Sequence, residues 1–418
     1  MASKLPPTQR DDALKLPVPA KLSQAELFKC VKVAVRIRPL SERETYHERV
    51  IRVIDEKTLL FDPTVEPVGL EIKNSRVRFS RTNKNETLAF DFVFSNKNNN
   101  GDVYRKTTRQ MLNALLNGYN CSVIAYGASA TGKTFTMLGS DECVGVVSLT
   151  LRELYRRVDE LLSEGLTCHV GVAYLEVGSE VVRDLLRPDG PPLTVRDDAA
   201  KNTVICDLPI RTTKNADAAL DLLERGNRNR AQHPSHAIFQ VYTSQTDSVT
   251  STSKTIRTSK MSFVDLASSE CLAAVSQYTS TRARDGAKIN LSHLALENCI
   301  SALSTNGAHR VPYRDSKLTR VLKDCLGGTC QTLIIATVSP SKLSLTETHS
   351  TLKRAQVAMK IQVQDKKNLT AVRLTTCMYP DMITELEQGR DALERKLDEI
   401  MRRKNALQAA CTGCCCRR

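Results

Sequence analysis

One stretch constrains this chain more than any other: Gly118 to Met137, reading Gly-Tyr-Asn-Cys-Ser-Val-Ile-Ala-Tyr-Gly-Ala-Ser-Ala-Thr-Gly-Lys-Thr-Phe-Thr-Met. Gly127, Gly132, Lys133 and Thr134 have the spacing of a phosphate-binding loop, with Ala128, Ser129, Ala130 and Thr131 between the glycines. The apolar run Cys121 to Tyr126 before it reads as a buried strand, and a helix is expected from Lys133. Backbone N–H groups and a helix start then converge on one point, which favours a polyanion. Lys133 would add a point charge for the outer phosphates. The Thr134 hydroxyl is suited to ligate Mg²⁺. A chance glycine-rich turn would not be expected to sit between a buried strand and a helix.

The rest of the chain alternates in the manner such a loop requires. Strands are expected over Cys30–Ile37, Ile51–Phe61, Val77–Phe94, Val172–Val177, Ala237–Thr243, Met261–Leu266 and Leu333–Val338. Helices are expected over Val103–Leu116, Val146–Leu162, Ala216–Arg225, Lys288–Leu303 and Thr346–Lys360, with a hairpin over Leu193–Leu208. Asp247–Ser259 reads as a Ser/Thr-rich turn and Cys271–Asp285 as a mobile loop. The fold class is α/β, a largely parallel sheet with helices on both faces. Asp265 falls near a strand's C-terminal end. A phosphate-loop enzyme carries its second Mg²⁺ contact there, through water. Arg36, Arg38 and Pro39 close the first strand, where they could flank a flat anionic ligand; a solvated strand end is the alternative.

A formal net charge of +14 favours an acidic partner without choosing its class. No run approaches the roughly 20 apolar residues of a membrane span. No secretory signal is read in Met1–Asp12, and residues 1–27 read as a flexible leader. The 14 cysteines lie mostly singly in apolar segments and read as reduced, buried side chains. The tail holds Cys411 and Cys414 to Cys416, but its Cys-x-x-Cys lacks a second ligand pair, so no zinc site is expected. No nucleic-acid-binding motif is present, and aromatics are only 5%, few stacking platforms for bases. Beyond Pro380, Leu386, Leu393, Ile400 and Leu407 recur every seven residues, interrupted by Gly389 and Lys404. That pattern fits a short amphipathic helix or a dimerising coiled coil.

With these landmarks in place, residues 29 to 368 resemble a kinesin motor domain. Arg36-Ile37-Arg38-Pro39 matches the family's adenine-site strand end, and Tyr104 its adenine-stacking aromatic. The phosphate loop matches. Asp265-Leu266-Ala267-Ser268-Ser269-Glu270 resembles switch II, usually Asp-Leu-Ala-Gly-Ser-Glu, and Ile289-Asn290 with Ser292 opens the switch II helix. Val311 to Arg320 resembles the microtubule-facing loop and helix. Asn117 to Val123 and Asn229 to Pro234 are most similar to the kinesin-eight class, which is associated with plus-end-directed movement and microtubule shortening.

The resemblance implies a kinesin-type phosphate-loop NTPase that uses ATP and Mg²⁺. Nucleotide would bind at Arg36, Arg38, Pro39, Tyr104 and Gly127 to Thr134. Ser235, His236, Asp265, Ser268 and Glu270 would act as switch residues. Arg310, Tyr313, Arg314, Lys317, Arg320 and Lys323 would face tubulin. It implies a motor domain over 28–362, a neck linker over 363–380, a neck helix over 381–408 that could pair two copies, and a Cys-rich tail over 409–418. It also implies a place on the cytoplasmic microtubule cytoskeleton, the spindle included.

The chain departs from the family pattern at specific residues. Switch I usually reads Asn-x-x-Ser-Ser-Arg-Ser-His; here His233-Pro234 runs straight into Ser235-His236, without the serine pair and the arginine that would partner Glu270. Ser268 stands for the switch II glycine, Ala130 for a loop glycine, Gly178-Ser179 for Tyr-Asn, Glu297 for a glycine and Arg354 for a tyrosine. Two readings follow: a microtubule-stimulated ATPase motor, or a pseudo-motor that binds microtubules and nucleotide with little or no hydrolysis.

Overall fold

The computed structural model describes residues 30–62, 85–198, 203–230, 235–246, 253–267, 280–305, 310–364, 366–373, 397 and 400–402. The chain opens with β1 (Lys32–Ile37), followed by a small antiparallel sheet of β2 (Ile51–Val53), β3 (Thr58–Phe61) and β4 (Glu86–Ala89). β5 (Phe92–Phe94) leads into α1 (Asn100–Lys106) and α2 (Thr108–Leu116). One helix was expected here, but Thr107 breaks it at φ −122° and ψ −86°, and its hydroxyl donates back to the Val103 carbonyl. Threonine competes for backbone hydrogen bonds in this way, and an apolar pattern does not register it.

Next come β6 (Cys121–Tyr126), α3 (Lys133–Met137) and α4 (Val146–Ser163). The hairpin β7 (Thr167–Gly178) and β8 (Val181–Asp184) precedes a surface hairpin, β9 (Thr194–Asp197) with β10 (Thr203–Cys206). β11 (Arg211–Thr213), α5 (Ala216–Arg230), β12 (His236–Thr246) and β13 (Ser253–Asp265) follow. β13 begins inside the segment expected to be a turn. The Ser259 hydroxyl is satisfied within the fold: its Oγ lies 2.6 Å from Thr243 Oγ1 and donates to the Leu115 carbonyl. Helix α6 (Ser280–Ser304) likewise starts within the segment expected to be a loop. α7 (Lys317–Val321), β14 (Gln331–Val338), α8 (Leu345–Ala358) and β15 (Leu369–Arg373) complete the described chain.

The main sheet has the order β11-β7-β12-β13-β6-β14-β1-β5. From β13 to β5 all neighbours are parallel; β12, β7 and β11 add antiparallel strands at the far side. β6 and β14 are buried at every position, as expected for central strands covered on both faces. Alternate residues feed two cores. Val123, Ala125, Leu333 and Ile335 pack on one face with α1, α2 and α4 residues such as Val103, Leu112 and Leu151. Ile124, Tyr126, Ile334 and Ala336 pack on the other with Leu296, Ile300, Leu318 and Leu352 from α6, α7 and α8. This is the α/β arrangement expected from the sequence.

The stretch after α8, expected to be a linker, follows the sheet. Val31 N donates to the Ile361 carbonyl (2.9 Å), Asn368 N donates to the Gly118 carbonyl (2.9 Å), and β15 pairs antiparallel with β13. Of the expected C-terminal helix, Leu397 and 400–402 are described; they are helical and exposed. The leader, most of the 381–408 segment and the cysteine tail lie outside the described residues. Among the described residues no cysteine is disulfide-bonded, and no helix is long and apolar enough to cross a membrane.

α5 is seated by an absent side chain. A Cβ built on Gly226 would lie 2.1 Å from the ring of Tyr174. That ring is buried, packs edge-on against Phe239 at 5.3 Å, and its hydroxyl donates to Asn227. Helix propensity alone would make Gly226→Ala stabilising by about 1 kcal/mol. The overlap opposes this, and overpacking of a filled core costs about 1–3 kcal/mol. Gly226→Ala is therefore expected to lower stability in urea denaturation; a gain would show that the Tyr174 ring has room to move.

Candidate nucleotide site and basic face

The loop between β6 and α3 is built as its sequence suggests. Gly127 has φ +151°, and a Cβ there would stand 2.3 Å from the Thr337 carbonyl, so only glycine fits against β14. Thr131 Oγ1 ties the loop down through the Ala128 carbonyl (2.8 Å) and Thr337 Oγ1 (2.7 Å). Lys133 folds back and donates to the carbonyls of Gly127 (2.9 Å) and Ala128 (2.8 Å). Ser129, Ala130 and Thr134 are exposed at the loop's outer side. Ala130 adopts φ +56°, the left-handed region that the family's glycine would occupy without penalty.

β13 delivers Asp265 beside this loop because β13 and β6 are parallel neighbours, with Asp265 in register with Ala125. This is the crevice at the carboxyl ends of parallel strands, where α/β sheets bind ligands. Asp265 is only 4% exposed. Its Oδ2 accepts from Thr134 Oγ1 (2.8 Å) and from Arg230 Nη1 (2.6 Å). Arg230, the last residue of α5, also donates to the Ser235 carbonyl (2.7 Å). Burial pushes the Lys133 ammonium down to about 8; Asp265 opposes this and Arg230 reinforces it.

The residues fit Mg²⁺. Asp265 Oδ1 is buried with no hydrogen-bond partner among the described residues, and the Thr134 hydroxyl stands on the same carboxylate. Hard oxygen donors of this kind suit Mg²⁺. Thr134 and Asp265 would hold it, and Arg230 now occupies part of that carboxylate.

Other expected site residues are placed in less direct ways. Arg36 is buried, donates to Asn100 Oδ1 (2.6 Å) and Thr136 Oγ1 (2.7 Å), and stacks its guanidinium over Phe135. It braces α1 against α3. Arg38 forms a two-pronged pair with Glu44 (2.6 Å each) beside Pro39, and these bonds hold the Glu44 carboxyl down to about 2. Tyr104 is 9% exposed within the α1 packing. Ser235 is buried and donates to Glu176 (2.7 Å). His236 Nδ1 accepts from Ala267 N (3.1 Å), and its Nε2 meets Ser292 Oγ (2.8 Å). The nearby His293 ring reaches the Ala267 carbonyl (2.8 Å). Burial chiefly holds both imidazoles low, His293 at about 4, so both are neutral around pH 7. Sequence reasoning gave no role to Glu176, which precedes Gly178-Ser179 in the family's Leu-Glu-Val-Tyr-Asn-Glu run, or to His293. Ser268 and Glu270 lie outside the described residues.

The basic face forms on a second surface. Ser316 caps α7 through Leu318 N, and Glu180 accepts from both Ser316 Oγ and Lys317 N (2.6 Å each). Glu180 sits in the β7–β8 turn with Ser179, both at positive φ. Tyr313 is anchored inward, its hydroxyl donating to the Leu326 carbonyl (2.7 Å). Arg310, Arg314, Arg320 and Lys323 line an open hollow. The acid among them was not anticipated. Asp197, from the β9–β10 hairpin, lies 3.5 Å from Arg314, 3.4 Å from Arg320 and 3.7 Å from Lys323. Nothing in the local sequence of Asp197 signals a contact more than a hundred residues away.

A parallel-sheet phosphate loop with a buried acid on the adjoining strand defines a nucleotide-binding domain of the phosphate-loop class. The family description "Kinesin motor domain" matches residues 36–361, and the chain belongs to that family. It is 42% identical over 385 residues to kinesin-like protein KIF18B of Gallus gallus, covering 88% of this chain and 47% of the relative. It is 42% identical over 363 residues to kinesin-like protein KIF18A of Mus musculus, covering 83% and 41%. These relatives are of the kinesin-eight class, as the sequence suggested. The chain spans about half the length of the curated relatives it matches. Among solved structures, it is similar to a KIF14 dimer in a two-heads-bound state with AMP-PNP, in complex with a microtubule. That likeness has a TM-score of 0.72 at 27% identity, covering 81% of this chain and 96% of the other. A structure described as a fast kinesin matches with a TM-score of 0.71 at 28% identity, covering 82% and 94%.

The Ala130 backbone yields a direct test. A left-handed alanine costs about 1–2 kcal/mol, and glycine's extra chain entropy offsets about 0.5–1 of that. Ala130→Gly is expected to raise stability by about 0.5–1 kcal/mol in chemical denaturation without nucleotide. A loss of stability would show that the alanine methyl is itself packed.

Proposed function

We propose that this chain is the ATP-driven, microtubule-binding motor portion of its protein. The observation that carries the reading is the cluster of Lys133, Thr134 and Asp265 at one loop, in a chain that gathers Arg310, Arg314, Arg320 and Lys323 around a second, open hollow. The phosphates of ATP lie along residues 127–134 in this reading, with adenine near Arg38, Pro39 and Tyr104. Lys133 exchanges its two loop carbonyls for phosphate oxygens. Mg²⁺, when bound, supplies the positive charge that offsets the transferred phosphoryl group. Glu176 fixes Ser235, and the His236–Ala267–His293 contacts transmit the state of the Asp265 strand to α6. Movement toward the plus end, as the kinesin-eight resemblance implies, and pairing of two copies through residues 381–408 are part of the same proposal.

The pseudo-motor reading is favoured by one specific observation. Arg230 holds Asp265 and the Ser235 carbonyl together across the shortened switch I. The same arginine that neutralises the acid competes with the metal for it, so nucleotide binding and turnover separate. Steady-state ATPase with and without microtubules decides between the two. The expected result is stimulation by microtubules that is abolished in Lys133→Ala. Nucleotide binding without stimulation would replace the motor reading with the pseudo-motor one.

The track surface has its own test. Exposed charges act over a screening length of about 8–10 Å, so binding to an acidic track should weaken steeply with salt. Alanine at Arg314, Lys317 and Arg320 together is expected to abolish most microtubule cosedimentation; unchanged binding would move the track surface elsewhere. Asp197→Asn frees three cations from an internal counter-charge. It is expected to tighten microtubule binding about two- to fivefold at low salt, an effect that fades at high salt. Weaker binding would mean that Asp197 organises the face more than it neutralises it.

A further inference from the structure

Two departures from the kinesin pattern, far apart in sequence, meet in space. Glu297 in α6 stands for a glycine, and Arg354 in α8 stands for a tyrosine. Arg354 Nη1 lies 2.6 Å from Glu297 Oε1. The Tyr126 hydroxyl, at the end of β6, donates to the same oxygen (3.2 Å) and accepts from Arg354 (3.3 Å). Burial, with Glu297 beside it, raises the Tyr126 phenol to about 12, so it remains a proton donor. The Glu297 side chain is 18% exposed and Arg354 44%. Below the three polar groups is an apolar gap lined by Ile124, Leu296, Ile300, Leu326, Ile334 and Ala355. The pair thus spans the seam between α6 and α8 where apolar packing is incomplete.

The ends of these helices give the pair its meaning. One turn before Glu297, His293 holds the carbonyl of Ala267, two residues past Asp265. One turn after Arg354, α8 ends at Ala358, and the chain leaves through Ile361 to be seated by Val31 N, Gly118 and β13. We propose that the Glu297–Arg354 pair is a positioning tie between α6 and α8 that favours the seated form of residues 361–373. It couples the nucleotide strand to the segment after α8 by a charge contact, at two positions where the family pattern has an uncharged glycine and tyrosine. The tie belongs to the free chain and stands apart from any binding to a track.

Amide hydrogen–deuterium exchange on the full chain with AMP-PNP tests this without microtubules or turnover. Glu297→Gln and Arg354→Met are each expected to speed exchange of the amides in 362–373 about three- to tenfold, with β6 and β14 amides unchanged. The charge swap Glu297→Arg with Arg354→Glu is expected to restore protection to within about twofold of the unsubstituted chain. Salt at about 1 M should move the unsubstituted chain toward the single variants. Unchanged exchange at 362–373 in both single variants overturns the proposal. So does a swap no better protected than the singles, which would make the effect one of shape. Where a single variant also loosens β6, the swap alone decides.

Discussion

The carboxylate of Asp265 is the contact on which the site depends. A buried charge is tolerated only with partners that replace water. Asp265 obtains them from two separate segments, both on Oδ2: the Thr134 hydroxyl from the phosphate loop and the Arg230 guanidinium from the end of α5. Each partner is therefore positioned by the acid as much as it positions the acid. Lys133, close by, is held low by burial and is satisfied by loop carbonyls that a phosphate can replace. The arrangement is one of mutually neutralised charges beside an exposed loop, ready to exchange partners when a polyanion arrives. Arg230 matters most in that exchange, because it is the cation that holds the acid directly.

The basic face follows the same logic with a different outcome. Asp197 is shared among three cations near the surface and offsets one of their charges, where solvent screens the contact and no partner is obligatory. An acidic partner can displace it at little cost. The hidden acid holds its partners and the half-buried acid lends them.

Much of this was legible in the sequence, for identifiable reasons. The loop glycines were readable because the backbone at Gly127 admits no side chain. Central strands were readable because β6 and β14 carry short apolar runs, Val123 to Tyr126 and Leu333 to Ala336, and both strands are buried at every position. The Thr107 break was not readable: it depends on one hydroxyl taking a carbonyl, which apolar spacing does not encode. The early start of β13 was hidden by its serine and threonine content; Ser259, for one, finds buried hydroxyl partners only once the sheet exists. Arg36 was expected at the nucleotide site from its place at a strand's end; its Nη1 is engaged by Asn100 and Thr136, partners that the local sequence does not announce. Asp197, Glu176 and Arg354 share one property: their partners are brought in by topology, so no local pattern announces them.

Gly226 lies four residues before Arg230 on α5, about 6 Å along the helix axis. Tyr174 abuts it from β7, leaving no space for even a methyl group. The helix therefore has a fixed stop near its end, and the reach of Arg230 to Asp265 is measured from that stop. The aromatic floor works as a gauge block. It sets the length of an arm whose tip decides which charge the acid keeps, so the dimensions of the site are recorded in a contact that touches neither nucleotide nor metal.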